Sequence, residues 1–229
     1  MKSPEQVDTK DFLKEDMSLS YLDEGDFVSV EEFKLKKEKE GDESKFVLKE
    51  YDLEEIEDLF EDRGLSLEEK AKILKRRQEF TQKFYDGLPS IVVKSQFILG
   101  GGSNNQATIF EIQDKISDYY TIDESDKIVQ ELNIQQKESL MKELDYFITR
   151  TGDFLHQRND TFPGGYEEYY SCFPDIHSDN LVITSDGHLK MIDTNMYKNL
   201  WEEDATLDEA EKNLNAFKLF RGIISRSIA

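Results

Sequence analysis

The chain of 229 residues is poor in the residues that mark disulfide-stapled, zinc-binding or membrane-spanning proteins. Cys172 is its only cysteine, so an intrachain disulfide is impossible and a thiolate zinc site has no ligand set. The three histidines, His156, His177 and His188, form no HExxH or other metal pair at helical spacing. No segment approaches ~18 consecutive apolar residues, and the opening MKSPEQVDTKDFLKEDMSL has neither an apolar run nor a small-residue cleavage pattern. A cytoplasmic protein without a membrane partner is the expectation. Positive charge is scarce too, with 29 Lys and Arg against 50 Asp and Glu, a net charge of −21. Such a surface repels phosphate backbones, which argues against nucleic acid, while a basic protein partner stays admissible.

What the chain does have is bulky apolar material. Fifteen Phe and ten Tyr supply a core that disordered chains lack, and the length suits one large domain or two small lobes. Residues 1–20 read as a charged, ragged arm. Alternating apolar residues from Phe27 to Leu35, and again over 46–51, predict a hairpin with a polar turn. The acidic run 52–62 places Leu53, Ile56, Leu59 and Phe60 at helical spacing. Ser66 and Glu69 have the spacing of a capping box, predicting a helix of roughly twenty residues that Gly87 and Pro89 end. Apolar stretches on either side of a glycine and asparagine turn near 100–105 predict two paired strands. Helices follow over 123–159, the second carrying Leu140, Leu144, Phe147, Thr151 and Phe154 on one face. A second hairpin turns at Asp186-Gly187, and a helical tail runs from about Thr206 to Ile228.

The segment richest in chemistry is 173–195. Asp175 is followed five residues later by Asn180, then by the hairpin, and then by Asp193 at the end of an apolar strand. This order resembles the catalytic loop and metal-binding turn of the protein-kinase-like phosphotransferases. Asp175-Ile-His-Ser-Asp-Asn-Leu is similar to the D-L-H-P-G-N-I/L loop of their aminoglycoside and choline kinase branch. The resemblance implies an α+β, two-lobed fold: a small antiparallel sheet lobe with one main helix over 21–113, and a reduced helical lobe over 114–229. It implies ATP and Mg²⁺ as cofactors. Asp175 would orient or accept the acceptor's hydroxyl proton, Asn180 and Asp193 would offer hard oxygens to Mg²⁺, and His177 would contact the transferring phosphate.

Upstream, Lys49 stands where the family's strand lysine meets the α- and β-phosphates, although a solvent-facing strand lysine is the alternative. Glu79 is preferred to Glu69 as its partner, because capping already accounts for Glu69. Thr108 to Asp114 resembles the fifth strand and hinge, with Phe110 as gatekeeper and the Glu111 carbonyl and Gln113 amide meeting adenine; an ordinary core strand reads the same way.

The chain departs from the family's pattern in three places. No G-x-G-x-x-G precedes the lysine, and Phe173-Pro174 and Thr194-Asn195 replace the usual residues beside the two aspartates. The 34 residues after Asn195 include no A-P-E segment. A small hydroxyl-bearing acceptor is therefore expected over a protein. A pseudokinase that binds nucleotide or scaffolds without turnover is the rival reading, and an unrelated acidic interaction protein is the third.

Overall fold

The computed structural model describes residues 18–24, 28–34, 45–51, 64–101, 107–157, 173–194, 196–197 and 204–228. The architecture is α+β with antiparallel sheets, and the chain divides into two compact units: Met1–Arg76 with Val93–Lys115, and Arg77–Val92 with Ile116–Ala229.

The first unit is built on a five-stranded sheet in the order β1-β2-β3-β5-β4, comprising β1 (Ser18–Glu24), β2 (Val28–Lys34), β3 (Phe46–Tyr51), β4 (Ser95–Gly101) and β5 (Ala107–Asp114). Both expected strand pairings are present, with β2 on β3 from Val28↔Tyr51 to Phe33↔Phe46 and β4 on β5 from Ser95↔Gln113 to Gly101↔Ala107. The sheet starts earlier than the sequence suggests. β1 begins within the last residues read as the arm and pairs with β2 through an irregularity between Tyr21 and Asp23, which breaks the alternation that would have signalled a strand. Residues 1–17 and the helix expected over 52–62 lie outside the described residues.

Period-two alternation gives this sheet two differently clothed faces. Tyr51 and Ile109 pack with Leu74 of helix α1 (Leu67–Phe84), joined by Leu67, Ala71, Ile73 and Phe97. Phe46, Leu48 and Ile112 form a separate cluster with Ile98 and Phe110, on the alternate residues of the same strands. α1 starts where its capping box predicts. Ser66 N donates to Glu69 Oε2 at 2.8 Å, and Glu69 N donates back to Ser66 Oγ at 3.3 Å.

The second unit is mainly helical. It contains α2 (Ser125–Glu131), α3 (Ile134–Gln157) and α4 (Asp204–Ile228), with two small sheets, one of β10 (Met196–Tyr197) and β7 (Phe173–Pro174), the other of β6 (Tyr119–Tyr120), β8 (Leu181–Thr184) and β9 (Leu189–Met191) in that order. Leu140, Leu144, Phe147 and Thr151 of α3 are fully buried, as their spacing predicts, and so are Ala210 and Phe217 of α4. Stacked and edge-on rings join these layers: Tyr85 lies 5.1 Å from Phe147, which lies 5.1 Å from Phe217. The Tyr85 hydroxyl shares a 2.9 Å hydrogen bond with Thr151, and its burial raises the phenol's pKa. α3 has a reciprocal cap that the sequence reading missed: Gln136 N donates to Asn133 Oδ1 at 3.0 Å and Asn133 N to Gln136 Oε1 at 2.9 Å. Among the described residues no helix is long and apolar enough to cross a membrane.

Candidate functional site

The loop that carries Asp175 is organised by its own backbone. β7 (Phe173–Pro174) leads into it, and Ile176, wholly buried, anchors it between the half-buried Asp175 and His177. Asp175 Oδ1 accepts from His177 N at 3.0 Å, the self-bonding turn open to a short acidic side chain. His177 then caps the single 3₁₀ turn Ser178–Asn180, its Nδ1 accepting from Asp179 N at 3.4 Å. With Nδ1 used as acceptor, the neutral ring carries its proton on Nε2 and can donate there. Nδ1 also lies 3.3 Å from Asp179 Oδ2, a contact that needs a hydrogen on Nδ1 and so alternates with the first.

Asn180 links the two ends of the segment. Its Nδ2 donates to the Asp175 carbonyl at 3.3 Å, which leaves Oδ1 as the amide's remaining acceptor. Its own carbonyl accepts from Ile192 N at 2.9 Å, extending the pairing of β8 (Leu181–Thr184) with β9 (Leu189–Met191) by one rung. Asp193 is the next residue. Beyond it, β10 (Met196–Tyr197) pairs antiparallel with β7, Met196 opposite Pro174 and Tyr197 opposite Phe173. The segment therefore closes on itself, bringing Asp175, Asn180 and Asp193 to one end of the β8–β9 hairpin.

That hairpin is held from several directions. Gly187 has φ +86°, the left-handed conformation its turn demands. Glu143 of α3 contacts His188 Nδ1 at 2.7 Å and accepts from Leu189 N at 2.8 Å. Met191 N donates to Ile91 O at 2.7 Å, and Lys190 Nζ to Ser90 O at 2.6 Å. Partial burial lowers the Lys190 pKa. Nothing in the sequence singled out Glu143, because a glutamate beside a helix's apolar stripe is an ordinary surface pattern.

The pair Asn180 and Asp193 offers one amide oxygen and one carboxylate, hard donors of the kind that suit Mg²⁺. Among the described residues no three His, Cys, Asp or Glu stand together as a full metal cage. A Mg²⁺ ion held here would complete its shell with water and phosphate oxygens, as that ion commonly does.

In the first unit, Lys49 is buried, with 8% of its surface exposed, and stands directly across the ladder from Glu111. Lys49 Nζ lies 3.8 Å from Glu111 Oε2, an oxygen that also accepts from Tyr51 Oη at 2.9 Å. Glu79 is exposed on the part of α1 that belongs to the second unit, and Glu69 is engaged in the cap.

The expected adenine contacts need correction. β5 has partners on both edges: Glu111 faces Lys49 and Phe97, and Gln113 faces Val47 and Ser95. A strand inside a sheet has its amides and carbonyls taken by its neighbours, so the Glu111 carbonyl and the Gln113 amide are not open to a base. Phe110 belongs with Phe46, Leu48 and Ile112, on residues that alternate with Lys49 and Glu111, so it does not share the lysine's face as a gatekeeper would. The chain leaves the ladder only after Asp114, where Lys115 N donates to Lys45 O at 2.9 Å.

No family model matches the chain, and no curated protein matches it in sequence.

Proposed function

We propose that this chain is an ATP- and Mg²⁺-dependent phosphotransferase with a protein-kinase-like fold, moving the γ-phosphate to a hydroxyl of a small molecule. The two compact units would be its small sheet lobe and its reduced helical lobe. The observation that carries the reading is the closure of 173–197. The β7–β10 pairing, the Asn180–Ile192 bond and the Asn180–Asp175 bond gather an aspartate, an amide oxygen and a second aspartate from the two arms of one hairpin segment.

Each residue has a role that its surroundings support. Asp175, fixed by the His177 amide, accepts the acceptor's hydroxyl proton as that oxygen bonds to the γ-phosphorus and the bond to the ADP oxygen breaks. Asn180 Oδ1 and the Asp193 carboxylate would hold Mg²⁺, which would supply positive charge to offset that of the phosphate oxygens. His177 donates from Nε2 to a transferring oxygen, and Lys49 meets the α- and β-phosphates. In a chain of net charge −21, such local cations are what allow a polyanion to bind at all.

Thermal melting with and without ATP and Mg²⁺ tests this reading. Nucleotide at ~100 times its dissociation constant adds about 2.7 kcal/mol. Asp193→Ala should abolish the Mg²⁺-dependent part of that shift, and Asp175→Ala should lower phosphate transfer by ~10²-fold or more while sparing nucleotide binding. No shift at saturating ATP and Mg²⁺ would sink the proposal. A shift without phosphate release or transfer to any hydroxyl compound would favour a nucleotide-binding module.

A further inference from the structure

We infer that Glu111, on β5, is the carboxylate that positions Lys49 for phosphate, in place of a glutamate on α1. The inference rests on the phosphotransferase reading and identifies a part that the sequence assigned elsewhere. Glu111 and Lys49 are direct cross-strand partners, with 6% and 9% of their side-chain surfaces exposed. Charges this far from water persist when they are paired. A separation of 3.8 Å between Nζ and Oε2 holds the ammonium by charge without a direct hydrogen bond between them.

Glu111 is itself held independently of the lysine. Tyr51 Oη donates to Oε2 at 2.9 Å, and Gln113 Nε2 donates to Oε1 at 3.4 Å, so each carboxylate oxygen has a neutral donor. Tyr51 is anchored in turn, its carbonyl accepting from Thr108 Oγ1 at 2.6 Å. The carboxylate would therefore keep its place while Lys49 shares its charge with a ligand. Of the α1 candidates, Glu69 is already bonded to Ser66 through its backbone and its side chain.

A double-mutant cycle on the full chain provides the test, with ATP and Mg²⁺ titrated into wild type, Lys49→Met, Glu111→Gln and the double variant, and Glu79→Gln measured beside them. Glu111→Gln preserves shape and removes charge. It should weaken ATP binding about tenfold, more than Glu79→Gln does. In the Lys49→Met background the same change should cost less than twofold, because a residue acting through the lysine has nothing left to position. Glu111→Asp should recover part of the loss, and it serves in the cycle if Glu111→Gln does not fold. Losses that multiply across the cycle would show a merely structural role and overturn the inference, as would a larger loss in Glu79→Gln. Absence of ATP binding in the wild type would defeat the phosphotransferase reading itself. Binding that is present in the wild type and unchanged in Glu111→Gln would defeat only the assignment of Glu111.

Discussion

At Gly87 the chain passes so close to Tyr146 of α3 that a Cβ would stand 2.2 Å from the ring. The contact has a purpose: Tyr146 Oη accepts from Gly87 N at 2.9 Å and donates to Asp86, tying the turn after α1 to α3 within the second unit. A methyl group at residue 87 would force the ring out and break both bonds. Gly87→Ala is therefore expected to destabilise the protein by ~1–3 kcal/mol, the usual range for overpacking. Chemical denaturation would check the value, and in a Tyr146→Ala background most of the penalty should vanish. The sequence showed Gly87 only as a helix stop, since no local pattern announces an aromatic ring arriving from α3. Lys49 teaches the same lesson. Its strand position was legible, whereas its partner 62 residues later became visible only once the β3–β5 register was known.

Among elements, α1 was the most legible because its start is encoded locally. Ser66 and Glu69 satisfy each other's amides within one turn, and no distant residue is needed. Replacing Ser66 by alanine should cost about 1 kcal/mol, measurable as a lower midpoint in urea. The same cap makes a pH prediction. Hydrogen bonds from the Ser66 backbone and side chain hold the Glu69 carboxyl below its ordinary value of 4.5. A group depressed in the folded state contributes stability that is complete above its unfolded pKa and lost as pH falls through the folded one. The melting-temperature advantage of the wild type over Ser66→Ala should thus shrink on acidification below about pH 4.5; an unchanged advantage would remove the cap from the account. The β8–β9 hairpin was equally readable from its Asp-Gly turn. β1 was not, because its irregular pairing interrupts the alternation on which strand reading depends. β7 and β10 span two residues each, too short to leave any periodicity.

For the whole molecule the dominant quantity is charge. Fifty acidic against 29 basic residues leave a net −21 that repels itself in the folded state. Salt shortens the reach of that repulsion to about 10 Å at 0.1 M. The melting temperature should therefore rise as sodium chloride increases from ~0.02 to ~0.2 M, by a few degrees for a chain of this size. A fall would mean that attractive pairs such as Arg221 with Asp145, at 2.8 Å, outweigh the surplus.

The sequence alone determined what depends on neighbours along the chain: the helices and their faces, the turns, the capping of α1, and the order of Asp175, Asn180 and Asp193. Backbone propensity, hydrophobic period and turn chemistry act over a few residues, so they can be read from the letters. Tertiary structure decided which residues face one another. Sheet register set Glu111 against Lys49 and closed the backbone of Glu111 and Gln113 to an adenine, and the β7–β10 pairing drew the two ends of 173–197 together. Those outcomes follow from hydrogen-bond ladders between distant segments, and a ladder's register is a property of two strands at once, which neither strand carries in its own sequence.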